Sequence, residues 1–190
     1  MHGTLHKIIP ALWVIWVIYW IISASRTKTD EQRESRPSRL LHYSLFLAGG
    51  AILISPNLLP PVFSKRQFTE YEAVYWLSAA LVALGLCISC FARASLGTNW
   101  SAPVTLKHGH ELIRQGPYRY VRHPIYTGLL LAIFGTALET GAWRGAIAFA
   151  LITLGVLYKY KTEEQFLTRK FGDEYRRYQA EVPALVPGWP

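Results

Sequence analysis

The chain has 190 residues, 51% of them hydrophobic and 14% aromatic, with 20 Lys and Arg against 12 Asp and Glu, a formal net charge of +8. The length allows one ordinary domain, but the apolar residues come in long blocks rather than in an amphipathic rhythm. That pattern excludes a water-soluble bundle and predicts an integral membrane protein. The positive excess does not require a nucleic-acid partner, because membrane topology and anionic headgroups account for it.

The first predicted span covers residues 8–24 and carries Trp13, Trp16, Tyr19 and Trp20 among its aliphatics. Only Lys7 sits in the segment before it, no Ala-x-Ala-like site follows, and bulky aromatics fill its centre. It therefore reads as a retained helix rather than a signal peptide. A charged loop over 25–38 leads to the second span, 40–59, closed by Pro60-Pro61. The third, 75–92, contains no charge. Its Cys87 and Cys90 read as small packing residues, since burial in lipid disfavours the thiolate that redox or metal chemistry needs. The fourth span, 125–138, and the fifth, 142–158, follow a long polar connection. A full span takes about 20 residues, roughly 17–25, so the fourth is short. Its start is expected to borrow polar residues that face protein rather than lipid.

Basic residues set the orientation. Sixteen of the 20 lie between the first and second spans, between the third and fourth, or after the fifth, and the other side holds Lys7, Lys65, Arg66 and Arg144. The basic side is expected to be cytoplasmic, with the N-terminus outside and the C-terminus inside. The predicted fold class is all-α: a five-helix, multi-pass membrane bundle forming one domain over 1–190. The expected location is a bacterial or archaeal inner membrane rather than the endoplasmic reticulum.

The connection over 93–123 is the longest in the chain, and loops of that length are usually functional or disordered. This one is rich in Gly, Trp, Tyr and aliphatics, and it ends in Gly116-Pro117-Tyr118-Arg119-Tyr120-Val121-Arg122-His123-Pro124-Ile125-Tyr126. Pro124 suits the first turn of a helix. His123 then falls at the cap, with Tyr126 about one turn on and on the same side. Free amides at such a helix start attract anions, so a ligand carboxylate or phosphate could sit there. Equally, His123 could simply cap the helix while Tyr126 anchors it at the interface.

Past the fifth span come Lys159-Tyr160-Lys161-Thr162-Glu163-Glu164. If the helix continues, Lys159 and Glu163 share a face, about 5–6 Å apart at Cβ. The plain reading is a surface pair; the functional one notes that both leave the membrane at the level of His123. In the tail, Phe171, Tyr175 and Tyr178 form an aromatic stripe that packs onto the membrane domain, lies in the interface, or lids a pocket.

Several of these pieces occur together in a known order. His110-Glu111-Leu112-Ile113, Gly116-x-Tyr118 and Arg122-His123-Pro124-x-Tyr126-x-Gly128 precede one further span. After it come Glu163-Glu164 and Phe171-Gly172-x-Glu174-Tyr175-x-x-Tyr178-x-x-x-Val182-Pro183. Over 97–187 the chain resembles the isoprenylcysteine carboxyl methyltransferase family and its relatives among phospholipid methyltransferases. The resemblance implies three N-terminal helices in 1–92 and a catalytic region in 93–190. It implies S-adenosylmethionine as methyl donor, leaving as S-adenosylhomocysteine, in a cytoplasmic pocket between the last two spans, the preceding loop and the tail. His110, Leu112, Ile113, Tyr118, His123, Pro124, Tyr126 and Glu163 would contact that cofactor. Thr105 stands where relatives often carry Gln or Glu. Lys159 falls on the family's substrate-binding arginine, keeping the charge but losing the bidentate fork.

Lys159 and Glu163 are thus the expected catalytic pair, with no metal. A cation at 159 would hold a carboxylate near the donor, favouring O- or S-methylation of a lipidic or prenylated-cysteine-like substrate entering from the bilayer. An amine acceptor must be neutral and would prefer a carboxylate base, so Glu163 keeps phospholipid N-methylation as an alternative. Two further alternatives are an NADPH-dependent sterol-type reductase, which shares an Arg-His-x-x-Tyr pattern, and a non-enzymatic membrane protein.

Overall fold

The computed structural model describes residues 7–24, 30–68, 72–97, 100, 105–107 and 112–188. The protein is predominantly helical: α1 Ile8–Ala24, α2 Arg36–Ile54, α3 Pro61–Ser64, α4 Glu72–Leu96, α5 Pro124–Thr140, α6 Trp143–Phe171 and α7 Asp173–Glu181. Two short strands modify the all-α expectation. β1 Asp30–Arg33 pairs antiparallel with β2 Thr105–Lys107, placing Asp30 opposite Lys107 and Arg33 opposite Thr105. This ladder joins the first interhelical connection to the long one before α5, two segments that the charge pattern assigns to the same side.

Local chemistry explains the helix ends. Ser35 caps α2 by accepting from the Ser38 amide at 3.4 Å, with a proline in the first turn. Pro124 opens α5, where its missing N–H costs nothing. Gly141, at φ 61°, closes α5 in the left-handed region and lets α6 start two residues later. At that end, the Gln67 amide donates to the Gly141 carbonyl at 2.8 Å. Arg144 donates to the Ile52 and Leu53 carbonyls, satisfying the C-terminus of α2.

Small residues set the helix contacts. A side chain at Gly85 or at Gly128 would run into the carbonyl of the other, so α4 and α5 touch backbone to backbone. Two turns further along, a Cβ at Gly135 would meet the Ser78 carbonyl at 2.8 Å. On the opposite side, α2 lies on α6, with Gly49 against Ile152 and Gly155 against the Phe46 ring. Close approach through glycine is how helices pack where lipid removes the hydrophobic drive between them. α1 joins α4 and α5 through its aromatics: Trp16 Nε1 donates to Ser89 Oγ at 2.7 Å and Trp13 Nε1 to Thr136 Oγ1 at 3.0 Å.

By length and composition, α4 is the one helix among the described residues long and apolar enough to cross a membrane; α1 and α5 are apolar but shorter. α6 has 29 residues, about 43 Å at 1.5 Å per residue. That exceeds a hydrocarbon core of about 30 Å, so its charged C-terminal turns extend the helix past its apolar part. The continuation past Tyr158 puts Lys159, Glu163 and Glu164 on regular helix.

Candidate functional site

The 3₁₀ turn Gly116–Arg119 leads into the site. Gly116 takes φ 60° there, a conformation glycine adopts without strain. Tyr118 is buried, its hydroxyl donating to the Ala92 carbonyl at 3.4 Å. Its own carbonyl accepts from the Tyr178 hydroxyl of α7. Burial pushes Tyr178 up to about 12, so it remains a neutral donor. Tyr118 thus fastens the tail to α4 and, with Ala92, Trp100 and Ile125, forms an apolar cluster against which Ile113 packs.

His123 is the N-cap residue of α5, but its side chain makes no capping bond. The ring instead lies between two carboxylates, with Nε2 3.2 Å from Glu164 Oε1 and Nδ1 3.6 Å from Glu163 Oε2. It stacks on Tyr126, centroids 5.7 Å apart, and stands 5.2 Å from Tyr160. Tyr126 donates its hydroxyl to Glu163 Oε1 at 2.6 Å. The sequence alone left simple capping and a binding role for His123 in balance; the geometry puts its imidazole in the carboxylate cluster.

The adjacent glutamates have different surroundings. Glu164 accepts from Arg122 Nε at 2.7 Å and from Gln179 Nε2 at 3.0 Å, besides its contact with His123. Burial alone would raise its pKa, but the hydrogen bonds and charges of His123 and Arg122 outweigh it and hold the carboxyl at about 2. Arg122 continues the lock, donating to the Gln179 and Val182 carbonyls. The Arg122 and His123 amides donate to the Pro183 and Ala184 carbonyls, each at 2.9 Å. Glu164 is therefore occupied in tying the tail to the start of α5.

Glu163 has Tyr126 on one oxygen and His123 beside the other, and its side chain is 23% exposed. A carboxylate offers about four acceptor positions, so it retains capacity for a cationic ligand. One turn earlier, Lys159 is buried, its Nζ 5.8 Å from the Tyr126 ring centre and 6.0 Å from that of Tyr43. The charges of Glu163 and Glu34 both act on it. Tyr175, on α7, has a buried hydroxyl without a hydrogen-bond partner among the described residues. Of the aromatic stripe, Tyr175 and Tyr178 pack inward with ring centres 5.9 Å apart.

Of the expected site residues, His123, Pro124, Tyr126, Lys159 and Glu163 come together where α5 starts and α6 turns polar. Tyr118 and Ile113 are adjacent through the Trp100 cluster, and Leu112 is half-buried. His110 lies outside the described residues. Four participants were not expected. Gln179 had no sequence signal beyond its helix. Arg122 stood in the motif without an assigned role. Glu34 and His42 were signalled by a polar i, i+4 series, Glu34-Ser38-His42, running into an apolar block.

The family model described as phospholipid methyltransferase matches residues 73–174. A protein-S-isoprenylcysteine O-methyltransferase of Schizosaccharomyces pombe is 34% identical over 123 residues, covering 60% of this chain and 50% of that protein. The Homo sapiens protein of the same name is 30% identical over 160 residues, covering 80% and 55%. The cobalt-zinc-cadmium resistance protein CzcN of Cupriavidus metallidurans is 32% identical over 117 residues, covering 59% and 51%. The chain thus spans about half the length of these relatives.

Proposed function

The chain belongs to the phospholipid methyltransferase family, and we propose that it is an integral membrane methyltransferase acting on the carboxylate of a lipidic or prenylated-cysteine-like acceptor. Its methyl donor in this reading is S-adenosylmethionine, bound at the cytoplasmic face. The observation that carries the proposal is the placement of Glu163 between Tyr126 and His123, one helical turn from buried Lys159.

The residues present fit such a donor. Glu163 offers a partly exposed carboxylate, and the faces of Tyr126 and His123 flank it; both attract a sulfonium or ammonium. The buried Tyr175 hydroxyl adds a polar group from the tail. When bound, the donor supplies an activated methyl group on a positively charged sulfur. Tyr126 fixes the rotamer of Glu163 through its 2.6 Å bond. Lys159 attracts and orients the acceptor carboxylate, which is already an anion and needs no base. The Arg122–Glu164–Gln179 lock holds α7 against the start of α5 and limits water at the site.

The five-span arrangement belongs to the same reading. Ile15, Ile18 and Ile22 on α1, Leu40 and Leu47 on α2, Leu77, Leu84 and Phe91 on α4, Phe134 on α5 and Leu154 on α6 are all exposed. Large apolar side chains on the outside of every long helix suit a lipid environment. Residues 1–92 then supply three spans and 93–190 most of the catalytic region, within one domain and with the C-terminus inside.

The test is ligand binding by the detergent-purified protein. S-adenosylhomocysteine is expected to bind, and Glu163→Gln to weaken it at least tenfold. Binding of NADPH in its place, or undiminished affinity in the variant, refutes the proposal.

A further inference from the structure

Buried Glu34, just ahead of α2, joins Ser38 and buried His42 in a second polar group on the side of α2 that meets α6. Ser38 Oγ donates to Glu34 Oε2 at 2.8 Å, and His42 Nδ1 lies 3.7 Å from the same oxygen. His42 is completely buried, yet among the described residues neither ring nitrogen finds a hydrogen-bond partner. Its ring centre is 4.6 Å from that of Tyr43 and 6.4 Å from that of Tyr158. Lys159, between Tyr43 and Tyr126, links this cluster to Glu163. An unmatched imidazole inside a membrane protein is expensive to keep and marks a functional position.

We propose that His42, positioned by Glu34, belongs to the acceptor site: with Lys159 it receives the acceptor carboxylate, and it takes up one proton as that carboxylate binds. The inference rests on the methyltransferase reading and extends it to the N-terminal half of the chain.

Charge balance supplies the reason. Glu34 and Glu163 both act on Lys159; with Glu163 given over to the cationic donor, an added carboxylate would share the one buried ammonium with Glu34. The groups facing His42 are Glu34, Arg39 and Tyr43 from the α2 side, and Tyr158 and Lys159 from α6. Among them the imidazole is the group that stays neutral in the empty site and can gain a proton when an acceptor carboxylate arrives beside it. One protonated ring nitrogen then donates to the acceptor while Nδ1 stays towards Glu34. Methylation converts the carboxylate to a neutral ester, which removes the charge that held the proton. His42 releases it, and the ester departs.

The experiment uses the full chain in detergent with S-adenosylmethionine, an S-farnesyl thioether carboxylate as probe, and pH values from about 5.5 to 8.5. In the wild type the acceptor KM is expected to rise with pH, approaching tenfold per unit above the transition, while kcat changes little. His42→Gln should give a pH-independent KM, raised towards the wild-type alkaline value. Glu34→Gln should move the transition to lower pH, because the neighbouring negative charge is gone. S-adenosylhomocysteine affinity should stay within twofold in both. A flat wild-type profile, a wild-type profile in His42→Gln, or methylation of an amine lipid in place of the probe overturns the inference. Should His42→Gln not fold, Glu34→Gln decides: an unmoved transition overturns it. A wild type that does not bind S-adenosylhomocysteine removes the underlying methyltransferase reading as well, and that result is distinct from the others.

Discussion

Glu164→Gln removes one charge from the lock between tail and helix while keeping the shape of the side chain. The Glu164 side chain is 13% exposed and its carboxyl is held at about 2 rather than the ordinary 4.5. A difference of that size corresponds to about 3 kcal/mol at neutral pH. Leaving the Arg122 guanidinium without its charge partner falls in the same range, about 3–5 kcal/mol for a buried pair broken on one side. The loss should appear first as undocking of α7, whose exposed Arg176 and Arg177 then reach a protease. Tryptic cleavage after Arg177, followed by mass spectrometry under conditions where opening is faster than cutting, reads the open population. It should accelerate about a hundredfold, since 1.4 kcal/mol is tenfold. The pH dependence has a definite sign. A depressed carboxylate contributes stability above its unfolded pKa and loses it as pH falls through the folded value, so the wild-type melting temperature should drop between about pH 5 and 2. The variant should lack that component. Equal cleavage rates for the two proteins at neutral pH would refute the assignment of Glu164 to the lock.

Lys159→Ala should leave S-adenosylhomocysteine affinity unchanged and lower turnover at least tenfold; an undiminished rate removes its acceptor role. Gly128→Val should prevent α4 and α5 from meeting, because its side chain would enter the Gly85 carbonyl and approach the Ser89 amide. The expected result is loss of monodisperse protein on size exclusion in detergent, and a wild-type elution profile would contradict the packing described.

The division of labour between Glu163 and Glu164 shows where linear reading stops. In the sequence they are equivalent neighbours. On the helix, adjacent residues point about 100° apart, so one turns to Tyr126 and the other to Arg122 and Gln179. Which of them is left able to bind a ligand depends on the tail, whose return path no local pattern specifies. Arg122, 42 residues from its partner, poses the same problem. Gly128 was visible as part of a motif, but its reason, contact with Gly85 on another helix, was not.

Hydrophobic blocks marked out the helical character and the order of the long helices, because apolar burial and backbone hydrogen bonding act on local stretches of chain. The Pro124 start and the helical continuation through Lys159 and Glu163 were equally local, set by proline's missing amide and by helical periodicity. Tertiary packing decided the rest. It brought His42 and Glu34 beside Lys159 and seated the imidazole of His123 between two carboxylates. It also folded α7 onto the start of α5, since electrostatic partners are chosen by distance in space, which separation along the chain does not encode.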